Sequence, residues 1–599
     1  MQEYTSPGEV SVAAERNLTT SLWEHARTTP ERPALAHRVG NTFVEVSAKQ
    51  FADQVRDVAA GLIGLGIQPG ARVCVFSSTR MEWTILDYAI WAAGCVTVPI
   101  YETSSAEQVE WIVSNSEAVA IICENDALRD VYEGVAERLP GCEHVYVIED
   151  GAIEELKSAG ADIPAEQVTG RAEAVTGDDL ATIVYTSGTT GRPKGCVIRH
   201  HSFVWEVEQV LSIAPFFRAG QSTLLFLPLA HIFARIIQVA AVTAGVTIGY
   251  STGIPHLVEE LQLFRPNFLL AVPRVFEKVF NGAQQRAHAD GKGAIFDRAA
   301  QVAIDHSRAE TSGKVPMTLK IQHRLFDKLV YSKLRAAMGG EVTYAVSGGA
   351  ALGERLGHFF HGIGLLILEG YGLTETTAGA TLNRPDAFRI GTVGKPLPGV
   401  TIRIADDGEV LIKGKHVFDG YHGDPDATAD VIDDGWFRSG DIGALDDDGF
   451  LRITGRKKEL IVTAGGKNVA PVVLEDRMRA HPLVSQAMVV GDDQPFIAAL
   501  VTIDPEEFPR WAQEHGKAGK SVADLVDDPD LRDAVQEAVD DANRAVSKAE
   551  SVRTFRILPV DFEVGDELSN KMSVKRHVVS DKYREVIDDI YAGKKGGPG

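Results

Sequence analysis

Cysteine is scarce. The 599 residues hold five, at Cys74, Cys95, Cys123, Cys142 and Cys196. None forms a CxxC pair or sits at zinc spacing from a histidine, which excludes a disulfide framework and a structural zinc finger. Sparse, scattered cysteines in so long a chain suit a reducing cytosol, with all five as small core residues. Long apolar runs are missing too. The most apolar stretch, residues 236–248 (IIQVAAVTAGVTI), is shorter than the roughly 20 residues that span a bilayer and reads as a buried helix. Peripheral contact with a membrane needs no spanning segment and stays open. The start, MQEYTSPGEVSVAAERN, is polar and acidic, unlike a secretory signal. Positive charge is in deficit: 60 Lys and Arg against 83 Asp and Glu, a formal net charge of −23. A nucleic-acid coat would need a basic surplus. An anionic ligand must instead be held by local groups such as backbone N–H, a few cations or a metal. No internal repeat is present.

What the chain does have is enough apolar content, 44% against 24% charged, for sizeable cores. Its length exceeds one compact core, which predicts several domains. Residues 47–65 place Phe51, Val55, Val58, Ala59 and Leu62 at helical spacing. A turn and a short strand follow (QPGARVCVFSS), then a helix, a glycine stop and a strand (DYAIWAAGCVTVPIY), then another strand (SEAVAIICEN). Such alternation predicts α/β layers with mostly parallel strands. LLFLPLAH, PNFLLAVP and VTYAVSGGA continue the rhythm, while residues 283–340 read as a helical insertion. Beyond Gly391, VTIRIADDGEVLIKG is a hairpin around an Asp-Asp-Gly turn and GFLRITGR a further strand. Residues 456–599 read as a small α+β domain after a large domain of layered α/β subdomains over 1–455. The boundary falls at 455–458, and GKKGGPG is a frayed tail.

Residues 185–195, YTSGTTGRPKG, follow a strand of β-branched residues. Glycines let the backbone approach a ligand, hydroxyls and backbone N–H groups donate, and Lys194 adds charge, so the loop suits a phosphate. It is not a Walker A loop, because Lys194 lies between Pro193 and Gly195. CVIRHHS after it also continues as a strand where a Walker loop would open a helix.

The full eleven-residue pattern resembles the signature of the acyl-adenylate-forming superfamily. PLAHIFAR (228–235), VPRVFEKV (272–279), YGLTETTAGA (371–380), GWFRSGDIG (435–443) and GRKKELIVTAGGKNVAP (455–471) occur in the order expected of its long-chain fatty acyl-CoA synthetase branch. VYSKLRAAMGG in the insertion resembles that branch as well. Taken singly, an SGD turn or a glutamate in a turn is an ordinary surface feature; the ordered series carries the reading. The resemblance implies a ligase that joins a fatty acid carboxylate to the α-phosphate of ATP, expels pyrophosphate, and passes the acyl group to the CoA thiol, with Mg²⁺ as metal.

By the same resemblance, Thr186, Ser187, Gly188, Thr189, Thr190, Gly191 and Lys194 grip the β- and γ-phosphates. Glu375 and Thr186 hold the metal; one carboxylate suits Mg²⁺, which keeps waters and substrate phosphates as its other ligands. Gly348, Gly349 and Ala350, with the segment of Glu369, Gly370, Tyr371, Gly372 and Thr374, enclose adenine. Asp441 accepts from the ribose hydroxyls and Arg456 contacts the nucleotide. His231 stands beside the acyl carboxylate and α-phosphate, for positioning or charge rather than as a base, since a carboxylate is already ionised near neutral pH. Gly465 and Gly466 let the pantetheine arm of CoA pass, and Lys458 is the hinge of a mobile C-terminal domain.

One part departs from the pattern. The family carries a C-terminal lysine that reaches the adenylation site, and the matching region is GDELSNKMSVKRHVV (565–579). Aligned on Leu568, Ser573 stands where the lysine belongs, and serine supplies no cation. A register on Asn570 makes Lys571 the candidate, and Lys575 is a third choice; Lys571 is the expected one. Two other readings stay open: a fatty acyl-AMP ligase that loads a carrier protein, and a catalytically impaired acyl- or nucleotide-binding paralogue. The chain shows no carrier or reductase domain, which favours free CoA. The expected setting is cytoplasmic, with membrane association open. Acyl-chain length and oligomeric state are written in no local motif.

Overall fold

The computed structural model describes residues 1–186, 192–465, 467–563, 565–568 and 574–592. Two mostly parallel sheets carry the large unit. In the first, Val96–Ile100, Arg72–Phe76, Ala118–Cys123 and His144–Val147 run parallel, and Leu180–Thr186 joins on the other side of Val96–Ile100. Lys194–Arg199 and Gly420–Tyr421 complete that edge antiparallel. In the second, Leu366–Tyr371, Tyr344–Ser347, Phe268–Ala271, Ser222–Leu225, Thr247–Tyr250 and Pro33–Val39 form a parallel run, with antiparallel strands at its borders. Helices cover these sheets, as central parallel strands require.

The helix Ala48–Gly64 begins with Ser47 and Gln50 exchanging side-chain and backbone bonds, a capping box that satisfies two otherwise orphaned N–H groups. Its apolar residues at helical spacing are buried. The apolar run at 236–248 is divided: Ile232–Ala244 is a helix, Gly245 ends it at φ 71°, and Thr247–Tyr250 is a strand. Glycine tolerates that left-handed cap without a Cβ penalty. All five cysteines are buried and unbridged.

A third, largely antiparallel sheet holds Thr401–Ile404, Glu409–Lys413, Trp436–Leu445 and Leu451–Arg456. The core of the large unit ends at Leu451. Two further cores begin at Ile461 and Met488, around Val484–Val490, Ile497–Ile503 and Val552–Ile557. Residues 283–340 hold the end of the helix Pro273–Ala289 and the helices Gly293–Thr311, Met317–Phe326 and Ser332–Ala337. Among the described residues no helix is long and apolar enough to cross a membrane.

Candidate active site

The phosphate-loop candidate is flanked by two antiparallel strands, Leu180–Thr186 and Lys194–Arg199. Thr186 stands opposite Lys194 and Tyr185 opposite Gly195. Both flanks are pinned: the Tyr185 hydroxyl donates to Asn115 Oδ1 at 2.6 Å, and Trp111 Nε1 donates to the Pro193 carbonyl at 2.8 Å. A Cβ at Gly195 would come within 2.7 Å of Ile183 Cγ2 and 3.1 Å of the Tyr185 ring, so glycine is required there by space. Ser187, Gly188, Thr189, Thr190 and Gly191 lie outside the described residues.

Glu375 reaches this edge from a different sheet through Tyr421, which sequence reasoning missed. Tyr421 pairs with Cys196 on the hairpin strand, and its hydroxyl donates to Glu375 Oε1 at 2.8 Å. Lys194 Nζ stands 5.0 Å from the centre of the same ring. One tyrosine thus joins the cation and the carboxylate expected to serve phosphate and metal. Burial first, then the Glu375 charge, pushes the Tyr421 hydroxyl up, so it stays a donor. Nothing in FDGYHGD announces this role.

The nucleotide candidates converge at the end of the strand Leu366–Tyr371. The Tyr371 hydroxyl donates to Asp441 Oδ2 at 2.7 Å, and Arg456 Nε lies 3.2 Å from Asp441 Oδ1. Asp441 and Arg456 are direct partners across two strands. Asp441 is 4% exposed, and burial raises its pKa against the opposing pull of Arg456. The carboxylate is therefore oriented in advance by one donor and one ion-pair partner. Gly372 is indispensable: a Cβ there would sit 1.8 Å from the Ala378 carbonyl oxygen. Thr374 is buried in the turn that carries Glu375.

One strand over, Ser347 stands opposite Glu369. The Ser347 hydroxyl is buried and has no hydrogen-bond partner among the described residues, an unused polar atom where the resemblance puts adenine. Gly348 lies against Phe233, whose ring a Cβ would meet at 2.9 Å, and Gly349 takes φ 82°. Ala350 follows in the same exposed turn. Glu369 accepts from Leu352 N–H at 3.1 Å, and burial pushes its carboxyl up to about 7.

His231 caps the helix Ile232–Ala244, its Nδ1 accepting from Phe233 N–H at 3.0 Å. A neutral ring then carries its proton on Nε2, which suits positioning better than base catalysis. One turn on, Arg235 is wholly buried and chelates Asp87 through Nε and Nη2. Its Nη1 donates to Thr182 Oγ1 at 2.6 Å, on the strand that leads into the phosphate hairpin. Gln238 also donates to Asp87, and Thr84 and Tyr250 extend the network. The helix bearing His231 and the strand bearing Thr186 are thus tied by one buried cation.

The C-terminal candidates stand apart. Lys458 is exposed in the turn Lys457–Glu459, while its neighbour Lys457 bonds Asp407 at 2.6 Å and Glu409 at 2.9 Å. Gly465 has no atom nearer than 3.8 Å to a built Cβ, so its backbone is open to approach. Lys575 Nζ donates to the Gly565 carbonyl at 2.9 Å, inside its own unit. Gly466, Lys571 and Ser573 lie outside the described residues.

Residues 22–422 match the family model described as AMP-binding enzyme, and residues 458–595 match AMP-binding enzyme C-terminal domain. The long-chain-fatty-acid–CoA ligase FadD15 of Mycobacterium tuberculosis is 50% identical over 597 residues, covering 99% of this chain and 100% of that protein. The long-chain-fatty-acid–CoA ligase ACSBG2 of Xenopus laevis is 32% identical, covering 93% of this chain and 81% of its own. In fold, the chain is similar to the anthranilate CoA ligase AuaEII in complex with anthranoyl-AMP (TM-score 0.73, 18% identity, 96% of this chain and 98% of that one).

Proposed function

The chain belongs to the AMP-binding enzyme family, and on that premise we propose that it is an AMP-forming long-chain fatty acid–CoA ligase. The observation that carries this reading is the 50% identity to a long-chain-fatty-acid–CoA ligase over both whole chains. The substrates are a fatty acid, ATP and CoA. A carboxylate oxygen bonds to the α-phosphorus as the bond to pyrophosphate breaks, leaving acyl-AMP. The CoA sulfur then bonds to the acyl carbon, AMP leaves, and the thiol proton passes to solvent.

The work of the residues is positioning and charge neutralisation. Lys194 and Thr186, with residues 187–191, receive the β- and γ-phosphates. Asp441, held by Tyr371 and Arg456, accepts from the ribose hydroxyls. The Ser347 hydroxyl and the Gly348–Gly349 backbone meet adenine, beside the Tyr371 ring. His231, its Nδ1 engaged, turns Nε2–H toward the reacting carboxylate and phosphate. Glu375 and Thr186 are the residues that would hold Mg²⁺. With Oε1 taken by Tyr421, Glu375 keeps one oxygen for a cation. Among the described residues no group of three or more His, Cys, Asp or Glu is disposed to hold an ion, which fits a metal carried largely by phosphate and water. When bound, the ion offsets charge on the departing pyrophosphate.

The small unit, turning at Lys458, brings Lys571 or Lys575 to the adenylation step and the Gly465–Gly466 backbone to the CoA arm at the second. Separate cores and an exposed Lys458 support that division. Five buried, unbridged cysteines support a cytoplasmic setting. The test is product analysis with fatty acid, ATP, Mg²⁺ and either CoA or acyl carrier protein. Acyl-CoA and AMP in equal amounts are expected; product with carrier protein alone would sink the CoA assignment.

A further inference from the structure

Exposed large aliphatic side chains are scattered singly over most of this molecule, which is normal for a soluble surface. The insertion is different. Met317, Ile321, Leu325 and Leu329 are 71%, 62%, 55% and 49% exposed. The helix Met317–Phe326 that carries the first three buries no residue. Four-residue steps keep one face of an α-helix, drifting by about 40° each time. The following turn, Asp327–Tyr331, is π-helical. Its wider winding brings the last four-residue step closer to a full turn, so Leu329 stays in line with Leu325. The result is a continuous apolar stripe along one helix face.

Beside it runs a row of cations. Lys320, Arg324 and Lys328 each precede a stripe residue by one position, about 100° round the helix. Lys314 and Lys333 stand near the two ends. All five are exposed, and among the described residues none is in an ion pair. The one acidic residue between 314 and 335, Asp327, is paired with Arg335 at 2.8 Å. The neighbouring helix Gly293–Thr311 touches this one through Arg298 and Gln322 and exposes Ile295 one turn before Arg298. In a chain of net charge −23, this is a local basic, amphipathic face.

We infer that the segment 314–333 is an interfacial helix that docks the protein on an anionic lipid bilayer. The stripe enters the boundary between headgroups and acyl chains, and the cation row lies at headgroup level, its aliphatic stems lengthening the apolar contact. Charge complementarity selects this occupant. An anionic surface attracts each such cation, while the remaining acidic surface is repelled and orients the molecule. A second copy of this chain would bring two basic rows together. The face is fixed to the catalytic unit. His323 Nε2 donates to the Gly362 carbonyl at 2.6 Å. Helix Gly293–Thr311 packs so closely on Glu354–Gly362 that a Cβ at Gly362 would meet the Ala303 carbonyl oxygen at 2.1 Å. The strand ending at Tyr371 follows that helix.

Vesicle flotation of the full chain tests this without requiring catalysis, so its outcome is separate from the ligase assignment. Vesicles of phosphatidylcholine with phosphatidylglycerol, and of phosphatidylcholine alone, are the probes. The wild type is expected to float with anionic vesicles and to be released by high salt. Ile321→Ser/Leu325→Ser and Lys320→Glu/Lys328→Glu are each expected to lower the partition coefficient about tenfold or more. All four substituted positions are exposed, so unchanged melting temperatures identify folded variants. No flotation of the wild type, or equal flotation of wild type and both variants, overturns the inference. So does a wild-type dimer that the serine variant dissolves with no lipid binding in either, which would assign the stripe to a second copy.

Discussion

The nucleotide end of the large unit and the lysine-bearing end of the small one are held by different means. Asp441 is fixed from two sides by Tyr371 and Arg456, and Glu375 by Tyr421. Behind them, Arg235 locks helix to strand in a wholly buried network. Lys575 instead bonds a carbonyl ten residues away in its own unit. The contacts that cross between units include polar ones: Arg355 to the Ala480 carbonyl at 3.2 Å, Arg274 to Asp504 at 3.5 Å, Lys278 to Glu506 at 3.7 Å. Groups that must recognise one substrate in one pose are preorganised. On the proposed reading, groups required at different steps sit on a unit with its own core.

The sharpest way to break that contrast is Arg235→Met. It leaves Asp87 buried without its cation, and a one-sided loss of a buried pair costs about 3–5 kcal/mol; urea unfolding should read it, and Arg235→Met/Asp87→Leu should recover most of it. Asp441→Ala comes next. On its proposed role it removes two charge-assisted bonds to ribose, so kcat/KM for ATP should fall about a hundredfold, near 2.7 kcal/mol. A small effect would detach Asp441 from the nucleotide.

Glu369 sharpens the comparison through pH. Burial raises its carboxyl to about 7, with the Asp476 charge of the small unit adding to the shift. The fold therefore holds a proton that the unfolded chain gives up near 4.3, and stability falls as pH rises from there through 7. Glu369→Gln removes that loss. Its stabilisation should be roughly 3 kcal/mol larger at pH 8 than at pH 4, read by denaturation at both; equal effects at the two would refute it. The smallest effect is expected at the crossing contacts. Lys278→Ala should change stability by no more than about 1 kcal/mol, as for exposed pairs.

Contiguous chemistry was legible in the sequence. The strand pair flanking the loop after Thr186, the glycine stop at Gly94 and the hairpin around Asp406–Asp407 are each set by residues next to one another. The partners that make the site rigid were not. Tyr421 meets Glu375 across 46 residues, Trp111 meets Pro193 across 82, and Arg235 meets Asp87 across 148. Such pairs leave no periodic trace, because they exist only once the sheets have stacked. The run IIQVAAVTAGVTI reads as one buried helix by hydropathy alone; its division into helix and strand follows from a single glycine able to take positive φ. The stripe on Met317–Phe326 shows the converse: apolar helical spacing reads as a core face until packing leaves it uncovered.

Exchange of labelled pyrophosphate into ATP, with a long-chain fatty acid and Mg²⁺ but no CoA, tests the account most directly. It isolates the first half-reaction, in which, on the proposed reading, Asp441 and Glu375 meet nucleotide and metal and the small unit supplies Lys571 or Lys575. Exchange that depends on the acid, is lost on chelation and is cut by Asp441→Ala is the predicted result. No exchange with any saturated acid from octanoate to stearate would contradict it.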